Sequence, residues 1–169
     1  KSIHKCILGG NSLGGGIAWR YTARYPNKVS KLILIDASGY AIKAQSTPIA
    51  FQLAKIPIIK NLFTYITPKF IARKSVENVY ADITKVNDTL VERYFELALR
   101  AGNRQAFIDR LSFENDINGS EKIKSITQNT LILWGEKDKL IPTEVALKFH
   151  KDLPNNTLVI LNGLGHVPM

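Results

Sequence analysis

A serine between two glycines is the first feature of this chain whose type and spacing could support chemistry. Residues 10–14 are Gly-Asn-Ser-Leu-Gly, which matches the G-x-S-x-G nucleophile elbow, and they stand between an apolar run and a helical pattern. The turn is so tight that Ser12 must adopt a strained backbone. Side chains two positions before and after it would collide unless Gly10 and Gly14 lack them. The motif therefore predicts Ser12 as a nucleophile.

A serine hydroxyl is a poor nucleophile near neutral pH, so it needs a histidine to accept its proton and a carboxylate to hold that histidine. The sequence contains three histidines. His4 precedes the elbow and His150 falls within a predicted helix, where each fits an ordinary surface residue. His166 follows the last predicted strand in a glycine-bracketed loop, where its side chain can reach over the sheet edge. His166 is the predicted base.

The acid has three candidates. Asp138 lies in the loop that follows the strand pattern ending at Trp134, and its order after Ser12 and before His166 suits a triad. Glu136 lies in the same loop, and Asp36 ends an earlier apolar run. We predict Asp138 as the acid, with Asp36 and Glu136 as alternatives.

The elements that must position these residues alternate between strands and helices. Short apolar runs predict buried strands at residues 4–8, 31–35, 130–134 and 157–161. Helical patterns follow the first run, up to the stop signal at Pro26, and the third run, at residues 143–153. A strand, a crossover helix and a second strand predict parallel pairing.

A helical insertion interrupts this alternation. From about residue 47 to 113 the sequence shows helical pieces separated by prolines and a glycine, and Asn87 and Asn103 each fit a helix N-cap. The chain is thus predicted to divide into a first core part at residues 1–46, a helical cap at 47–119 and a second core part at 120–169. The apolar residues expected to roof a site are Phe51, Leu53, Ile56, Ile58, Ile59, Leu62, Phe63 and Phe70.

Composition limits the possible partners. The chain has 169 residues, of which 45% are hydrophobic and 22% charged, and this suits the core of one ordinary domain. The net charge is +9, but the basic residues are scattered singly without a nucleic-acid module, so nucleic-acid binding is not expected. Three widely spaced histidines and one cysteine form no ligand cluster, so no metal or organic cofactor is expected. Both termini are expected to lie within a longer protein, because no initiator Met or closing element is present.

The glycine cluster does not fit a nucleotide site. The G-x-G-x-x-G pattern fails from every glycine near the elbow, and the spacing from Gly9 to Gly14 lacks the Lys and Ser/Thr of a P-loop. Dinucleotide and phosphate binding are therefore excluded as explanations of this cluster.

Together these segments resemble the α/β-hydrolase superfamily, in the branch of cap-bearing bacterial serine hydrolases. The resemblance rests on residues 9–15 (Gly-Gly-Asn-Ser-Leu-Gly-Gly), 32–39 (Leu-Ile-Leu-Ile-Asp-Ala-Ser-Gly), 133–138 (Leu-Trp-Gly-Glu-Lys-Asp) and 165–168 (Gly-His-Val-Pro), and on the order Ser, Asp, His. It implies an α/β fold, namely the C-terminal half of a mostly parallel sheet with four strands and an inserted helical cap.

The resemblance also implies how an oxyanion would be bound. The Leu13 N–H is one donor, and a second comes from a His-Gly motif in an earlier part of such enzymes. Because losing one donor costs on the order of a hundredfold in rate, this segment alone is expected to be nearly inactive. Its first strand is expected to be an exposed apolar edge.

Within the superfamily the resemblance favours an esterase. Haloalkane dehalogenases and soluble epoxide hydrolases use an aspartate nucleophile, unlike Ser12. Meta-cleavage C–C hydrolases typically carry Gly-Pro-Gly-Gly after the sixth strand and often Trp after the histidine, whereas this chain has Asp-Ala-Ser-Gly at 36–39 and Val167. We expect cleavage of small apolar acyl or aromatic esters, with a C–C hydrolase or a catalytically silent binding module as alternatives. The sequence leaves open membrane association and the choice between the cytoplasm and membrane attachment.

Overall fold

Two compact units make up the chain in the computed structural model, which describes residues 3–41, 44–53, 56, 65–112 and 119–168. One unit combines Lys1–Gln45 with Ile117–Met169, and the other is Ser46–Asp116. None of the helices in the described ranges has the length and apolar character that crossing a membrane requires. The predicted role of the second unit as a cap stays a prediction.

The first unit, called here the α/β unit, is built on a parallel sheet. Its strands lie side by side in chain order. They are β1 (Cys6–Asn11), β2 (Val29–Ile35), β3 (Asn129–Gly135) and β4 (Asn156–Leu161). The predicted α/β fold with a parallel sheet is therefore confirmed.

The bounds of β1 differ from those expected at residues 4–8. The strand continues through Gly9 and Gly10 to Asn11, which pairs with Ile35 of β2. The hydrogen bonds of a parallel ladder use backbone groups alone. The absence of side chains at Gly9 and Gly10 therefore does not end the pairing.

Helices lie between and after these strands. In chain order they are α1 (Leu13–Arg24), α2 (Ile49–Leu53), α3 (Lys69–Val79), α4 (Asp88–Leu99), α5 (Asn103–Ser112) and α6 (Thr143–Asp152), with 3-10 turns at Pro26–Lys28, Ile83–Lys85 and Ser120–Ser125. The observed α1 and α6 agree with the helical patterns that follow the first and third apolar runs.

The core of the α/β unit is formed by large side chains that α1, β2, β3 and α6 bury together. Its largest members are Trp19, Trp134, Phe149, Leu32, Leu34 and Ile132. Each tryptophan also satisfies its polar edge, since Trp19 Nε1 donates to Ser38 O at 2.9 Å and Trp134 Nε1 donates to Ile141 O at 2.9 Å. The two bonds fix the chain segments that follow β2 and β3, where the candidate acids lie.

β1 forms one edge of the sheet, as the resemblance implied. Its Ile7 is 60% exposed, and Ile17 on the neighbouring helix α1 is also 60% exposed. Helix α1 is thus only partly buried, with Ala18 and Thr22 inside and Ile17 and Tyr21 outside.

The second unit, called here the helical unit, contains α2 to α5. Its Asn87 caps α4 as predicted, because its side chain accepts from Leu90 N at 2.8 Å. The predicted cap at Asn103 is wrong: Asn103 is the first residue of α5 and donates to Leu97 O at 2.7 Å. Gly102, with φ of 83°, accepts from Ala106 N instead. Because glycine has no Cβ, it adopts this left-handed conformation without a steric clash, and Gly102 therefore takes the position directly before α5.

The predicted apolar roof is only partly within the described residues. Ile58, Ile59, Leu62 and Phe63 lie outside them. Phe51 packs edge-to-face against Phe107, with ring centroids 5.0 Å apart. Phe70 is 62% exposed.

Candidate active site

Ser12 occupies the turn between β1 and α1. Its backbone has φ of 54° and ψ of −119°, a conformation that costs a residue with a Cβ on the order of 1–3 kcal/mol. Hydrogen bonds hold it there: Ser12 N donates to Ile35 O at 2.9 Å, and Ser12 O accepts from Ser38 N at 3.0 Å. The expected strain at the elbow is therefore confirmed, and the end of β2 supports it.

The steric demand for glycine is confirmed at Gly10 but not at Gly14, and it extends to Gly15. A Cβ at Gly10 would lie 2.3 Å from the Gly14 carbonyl carbon, and one at Gly15 would lie 2.5 Å from Ala37 Cβ. A Cβ at Gly14 would meet nothing within 4 Å in the described structure, so the steric reason given for Gly14 is wrong. Gly10 permits the tight turn, and Gly15 lets α1 approach the residues after β2.

His166 and Asp138 form a buried pair at the ends of β3 and β4. His166 Nδ1 lies 2.7 Å from Asp138 Oδ2, and both residues are at least 95% buried. The second carboxylate oxygen, Asp138 Oδ1, accepts from Leu140 N at 2.8 Å and Ile141 N at 2.9 Å. Both Asp138 oxygens thus act as acceptors, and Nδ1–H of His166 is the donor toward Oδ2. His166 Nε2 is then left with a free lone pair, as a general base requires.

Backbone bonds tie the acid loop to the histidine loop. Lys137 N donates to Leu164 O at 2.8 Å, and Glu136 N donates to Leu161 O at 3.1 Å. The Glu136 carboxylate accepts from Gly163 N at 2.8 Å, so this alternative acid braces the histidine loop and does not hold His166. The two loops therefore form one hydrogen-bonded assembly.

Asp36, the other alternative acid, lies beside the pair without bonding to the imidazole. It follows β2, is completely buried and has φ of 42°. Its Oδ1 accepts from Gly135 N at 2.9 Å. The pKa of Asp36 is raised to about 8: burial is the largest cause, the Gly135 N–H acts in the opposite direction, and the neighbouring charge of Asp138 adds to the rise. The partner of His166 is Asp138.

A family model for the alpha/beta hydrolase fold matches residues 1–169. The chain belongs to the α/β-hydrolase family. The elbow, the acid loop and the histidine loop all lie at the carboxyl ends of parallel strands, where ligands bind in open α/β sheets.

Two named relatives are similar to more than nine-tenths of the chain. A 2-hydroxymuconate semialdehyde hydrolase from Pseudomonas putida is 29% identical over 164 residues, covering 93% of this chain and 54% of that protein. Lipase 3 from Moraxella sp. (strain TA144) is 26% identical over 174 residues, covering 96% of this chain and 50% of that protein. The chain thus spans about half the length of these two relatives.

Solved structures of α/β hydrolases share the fold. A meta-cleavage product hydrolase from Pseudomonas fluorescens IP01 superposes with a TM-score of 0.79, at 22% identity, over 97% of this chain and 58% of that one. At this identity the likeness shows the fold alone.

Asn11 is a residue of the candidate site that the sequence alone did not indicate. Its side-chain nitrogen donates to Ile35 O at 3.2 Å and to His166 O at 3.1 Å, and so links the nucleophile strand to the histidine loop. In the described residues no hydrogen bond joins the Ser12 hydroxyl to His166 directly. The sequence feature that could have indicated Asn11 is its polar side chain at the last position of a strand whose other residues are apolar or glycine.

The other predicted site residues have simpler surroundings. Leu13 is the first residue of α1, where an N–H has no carbonyl partner within the helix. His4 is exposed, and His150 on α6 is exposed with Nδ1 2.6 Å from Asn156 Oδ1. Within the described ranges, neither His4 nor His150 belongs to the group of possible ligands that contains Asp138 and His166.

The arrangement suits proton transfer better than metal binding. Ligand atoms of Asp36, Asp138 and His166 lie within 4.8 Å of one another. Asp138 and His166 already bond to each other, however, and one Asp36 oxygen is taken by Gly135 N. Asp36 Oδ1, Asp138 Oδ2 and His166 Nδ1 are therefore already engaged in hydrogen bonds.

Proposed function

We propose that the protein containing this chain is a serine hydrolase that cleaves carboxylic esters of apolar acyl or aromatic substrates through an acyl-enzyme. One observation carries the proposal: the buried bond of 2.7 Å between His166 Nδ1 and Asp138 Oδ2, at the same end of the sheet as the strained Ser12. This combination supplies a nucleophile position, a base and an acid.

The proposed reaction has two steps. The Ser12 hydroxyl attacks the ester carbonyl while His166 Nε2 accepts its proton, and collapse of the tetrahedral intermediate releases the alcohol with that proton. Water then attacks the acyl-enzyme by the same route and frees Ser12. Asp138 orients the imidazole and stabilises its charged form throughout.

The developing oxyanion would meet the Leu13 N–H at the start of α1. This N–H has no intrahelical partner, and the N-terminal end of the helix favours negative charge. We propose that the second donor lies outside these 169 residues, which span only about half of the relatives' lengths.

A C–C bond hydrolase is the second candidate. It is favoured by the 29% identity to a 2-hydroxymuconate semialdehyde hydrolase. Against it stand the sequence after β2, Asp-Ala-Ser-Gly at 36–39, and Val167 after the histidine. Both candidates use the same three residues, so substrate tests must separate them.

The test uses the natural protein, with any residues that flank these 169. It is treated with a fluorophosphonate probe and assayed with aryl esters of graded acyl length and with 2-hydroxymuconate semialdehyde. Ser12→Ala is expected to abolish labelling and to lower kcat/KM by about a thousandfold or more. Ser125→Ala is the matched control, because this exposed serine bonds only Lys122 O in a distant turn.

Each outcome has a clear meaning. Ester turnover that vanishes in Ser12→Ala and survives in Ser125→Ala supports the esterase. Turnover of the semialdehyde alone would move the assignment to the C–C hydrolase. No labelling of the folded protein would overturn the triad and bring the binding module forward.

The helical unit belongs to the proposal as a cap that selects substrates. Exchanging residues 47–119 for the matching segment of a lipase relative is expected to change the preferred acyl length, with Ser12 labelling retained. An unchanged preference would count against this role.

A further inference from the structure

A second fully buried carboxyl group lies beside the proposed acid and base. Asp36 follows β2 directly, and its backbone N donates to Leu133 O at 3.0 Å. Its Oδ1 accepts from Gly135 N at 2.9 Å. Asp36 is thus anchored by main chain and side chain to the end of β3, the strand from which the Asp138 loop departs.

Gly135 is the point where this anchor meets the rest of the site. A Cβ at Gly135 would lie 2.1 Å from Gly165 O, so the histidine loop passes directly over it. Asp138 N also donates to Gly135 O at 3.1 Å. A side chain that holds Gly135 in place therefore affects the positions of both Asp138 and His166.

The second carboxyl oxygen of Asp36, Oδ2, lacks a hydrogen-bond donor among the described residues. Asp36 Oδ2 is buried and receives no hydrogen bond from any described donor. The titratable groups that face Asp36 from the described elements are Asp138, after β3, and His166, after β4. A carboxylate here would leave a buried oxygen unpaired and would repel the Asp138 charge.

A proton on Asp36 removes both problems. The protonated oxygen becomes a donor, and Asp138 is the acceptor that faces it. The carboxyl pair then carries one negative charge, which matches the single positive charge that His166 gains in the proposed reaction.

We propose that Asp36 is a positioning residue that works as a neutral carboxylic acid, accepting from Gly135 N–H and donating to Asp138, so that Asp138 and His166 keep their alignment. This role rests on the function proposed above. Burial, the main cause, raises the pKa of Asp36 to about 8, so the group keeps its proton at neutral pH. Above this pH a second negative charge would repel the Asp138 carboxylate and disturb its alignment with His166.

Two substitutions separate this role from alternatives. Asp36→Asn keeps a neutral acceptor for Gly135 N–H and a donor toward Asp138, whereas Asp36→Ala removes both. In the natural protein, Asp36→Ala is expected to lower kcat about tenfold or more with little change in KM. Asp36→Asn is expected to rescue at least about a third of wild-type kcat/KM at pH 7 and to lack the fall in activity above about pH 8.

Activity results can overturn the proposal. If Asp36→Asn is as impaired as Asp138→Asn, Asp36 acts as a charged group and the neutral role is wrong. Wild-type activity in Asp36→Ala would also contradict it. If Asp36→Ala does not fold, the alkaline limb of Asp36→Asn decides: its loss supports the proposal and its retention overturns it.

A stability measurement distinguishes failure of this inference from failure of the proposed function. Between pH 3.8 and about 8 the folded protein keeps a proton that the unfolded chain has lost, so wild-type stability falls as pH rises through this window. Asp36→Asn is expected to gain melting temperature relative to wild type as pH rises through that window. That gain in a protein that hydrolyses nothing would support the neutral Asp36 and sink the hydrolase. Parallel pH curves in an active hydrolase would sink the neutral Asp36 alone.

Discussion

The α/β unit and the helical unit differ in the size of the side chains that they bury and in where their hydrogen bonds and ion pairs lie. In the α/β unit the largest fully buried side chains include two tryptophans and Phe149, and backbone bonds join the ends of neighbouring strands. In the helical unit the buried apolar residues among those described are Ile71, Val76, Val91 and Ile108. Each ion pair within its described residues, such as Lys69 with Glu92, has at least one side chain that is half or more exposed.

This difference teaches where sequence change is tolerated. The candidate site lies in the unit where close backbone approach and buried hydrogen bonds fix positions, so single substitutions there are expected to have large effects. In the helical unit the charged contacts are weak, because water screens exposed pairs. Substitution of these charges is expected to matter little.

The largest effect is expected at Gly10. Gly10→Ala places a Cβ 2.3 Å from the Gly14 carbonyl carbon, and since backbone atoms cannot move aside, we expect a loss of about 3 kcal/mol or more in the free energy of unfolding. Chemical denaturation measures this loss.

Gly14→Ala is the matched control. Its Cβ would meet nothing within 4 Å, and alanine favours α1 by up to about 1 kcal/mol over glycine. Equal losses in the two variants would show that the elbow does not restrict Gly10 more than Gly14.

The contrast between Gly10 and Gly14 shows which features of the site can be predicted from the sequence and which cannot. Local signals predicted the apolar strands, the elbow and the order of Ser12, Asp138 and His166. Which glycine the turn requires depends on how close α1 comes to β1 and to Ala37, and that distance is a tertiary property. A motif alone does not contain it.

An intermediate effect is expected at Asn11. Asn11→Ala removes the bonds to Ile35 O and His166 O, so we expect a loss of about 1–3 kcal/mol in stability and about a tenfold fall in kcat as the histidine loop loosens. Denaturation and steady-state kinetics on the natural protein measure the two effects.

Asn155→Ala serves as the control for Asn11. Its side chain donates only to Thr127 O at 2.8 Å, near the start of β3 and away from the site. We expect a stability loss of about 0.5–1.5 kcal/mol with kcat unaffected. A normal kcat in Asn11→Ala would mean that the bridge is purely structural.

Asn11 and Asp36 also show why part of the site could not be predicted. A polar residue beside Ser12 or after β2 suggests from its type a nucleophile, a base or an acid. The observed contacts are instead to backbone groups of distant loops, 155 residues away in the case of Asn11 and His166. Residues so far apart in the sequence share no local pattern. Asn11 and the histidine loop come together because the parallel strands place their carboxyl ends side by side.

The smallest effect is expected in the helical unit, where two adjacent residues of α4 sharpen the comparison. Glu92→Gln breaks the ion pair with Lys69. Because the Glu92 and Lys69 side chains are 44% and 51% exposed, stability should change by less than about 1 kcal/mol. Val91→Ala removes two methyl groups from a completely buried side chain and should cost about 2 kcal/mol or more. Thermal unfolding of both variants tests the pair.

If Glu92→Gln costs as much as Val91→Ala, ion pairs and not apolar burial hold the helical unit together, and the two units are stabilised by different interactions. If Val91→Ala alone is costly, both units rely on buried apolar side chains and differ only in how many they bury.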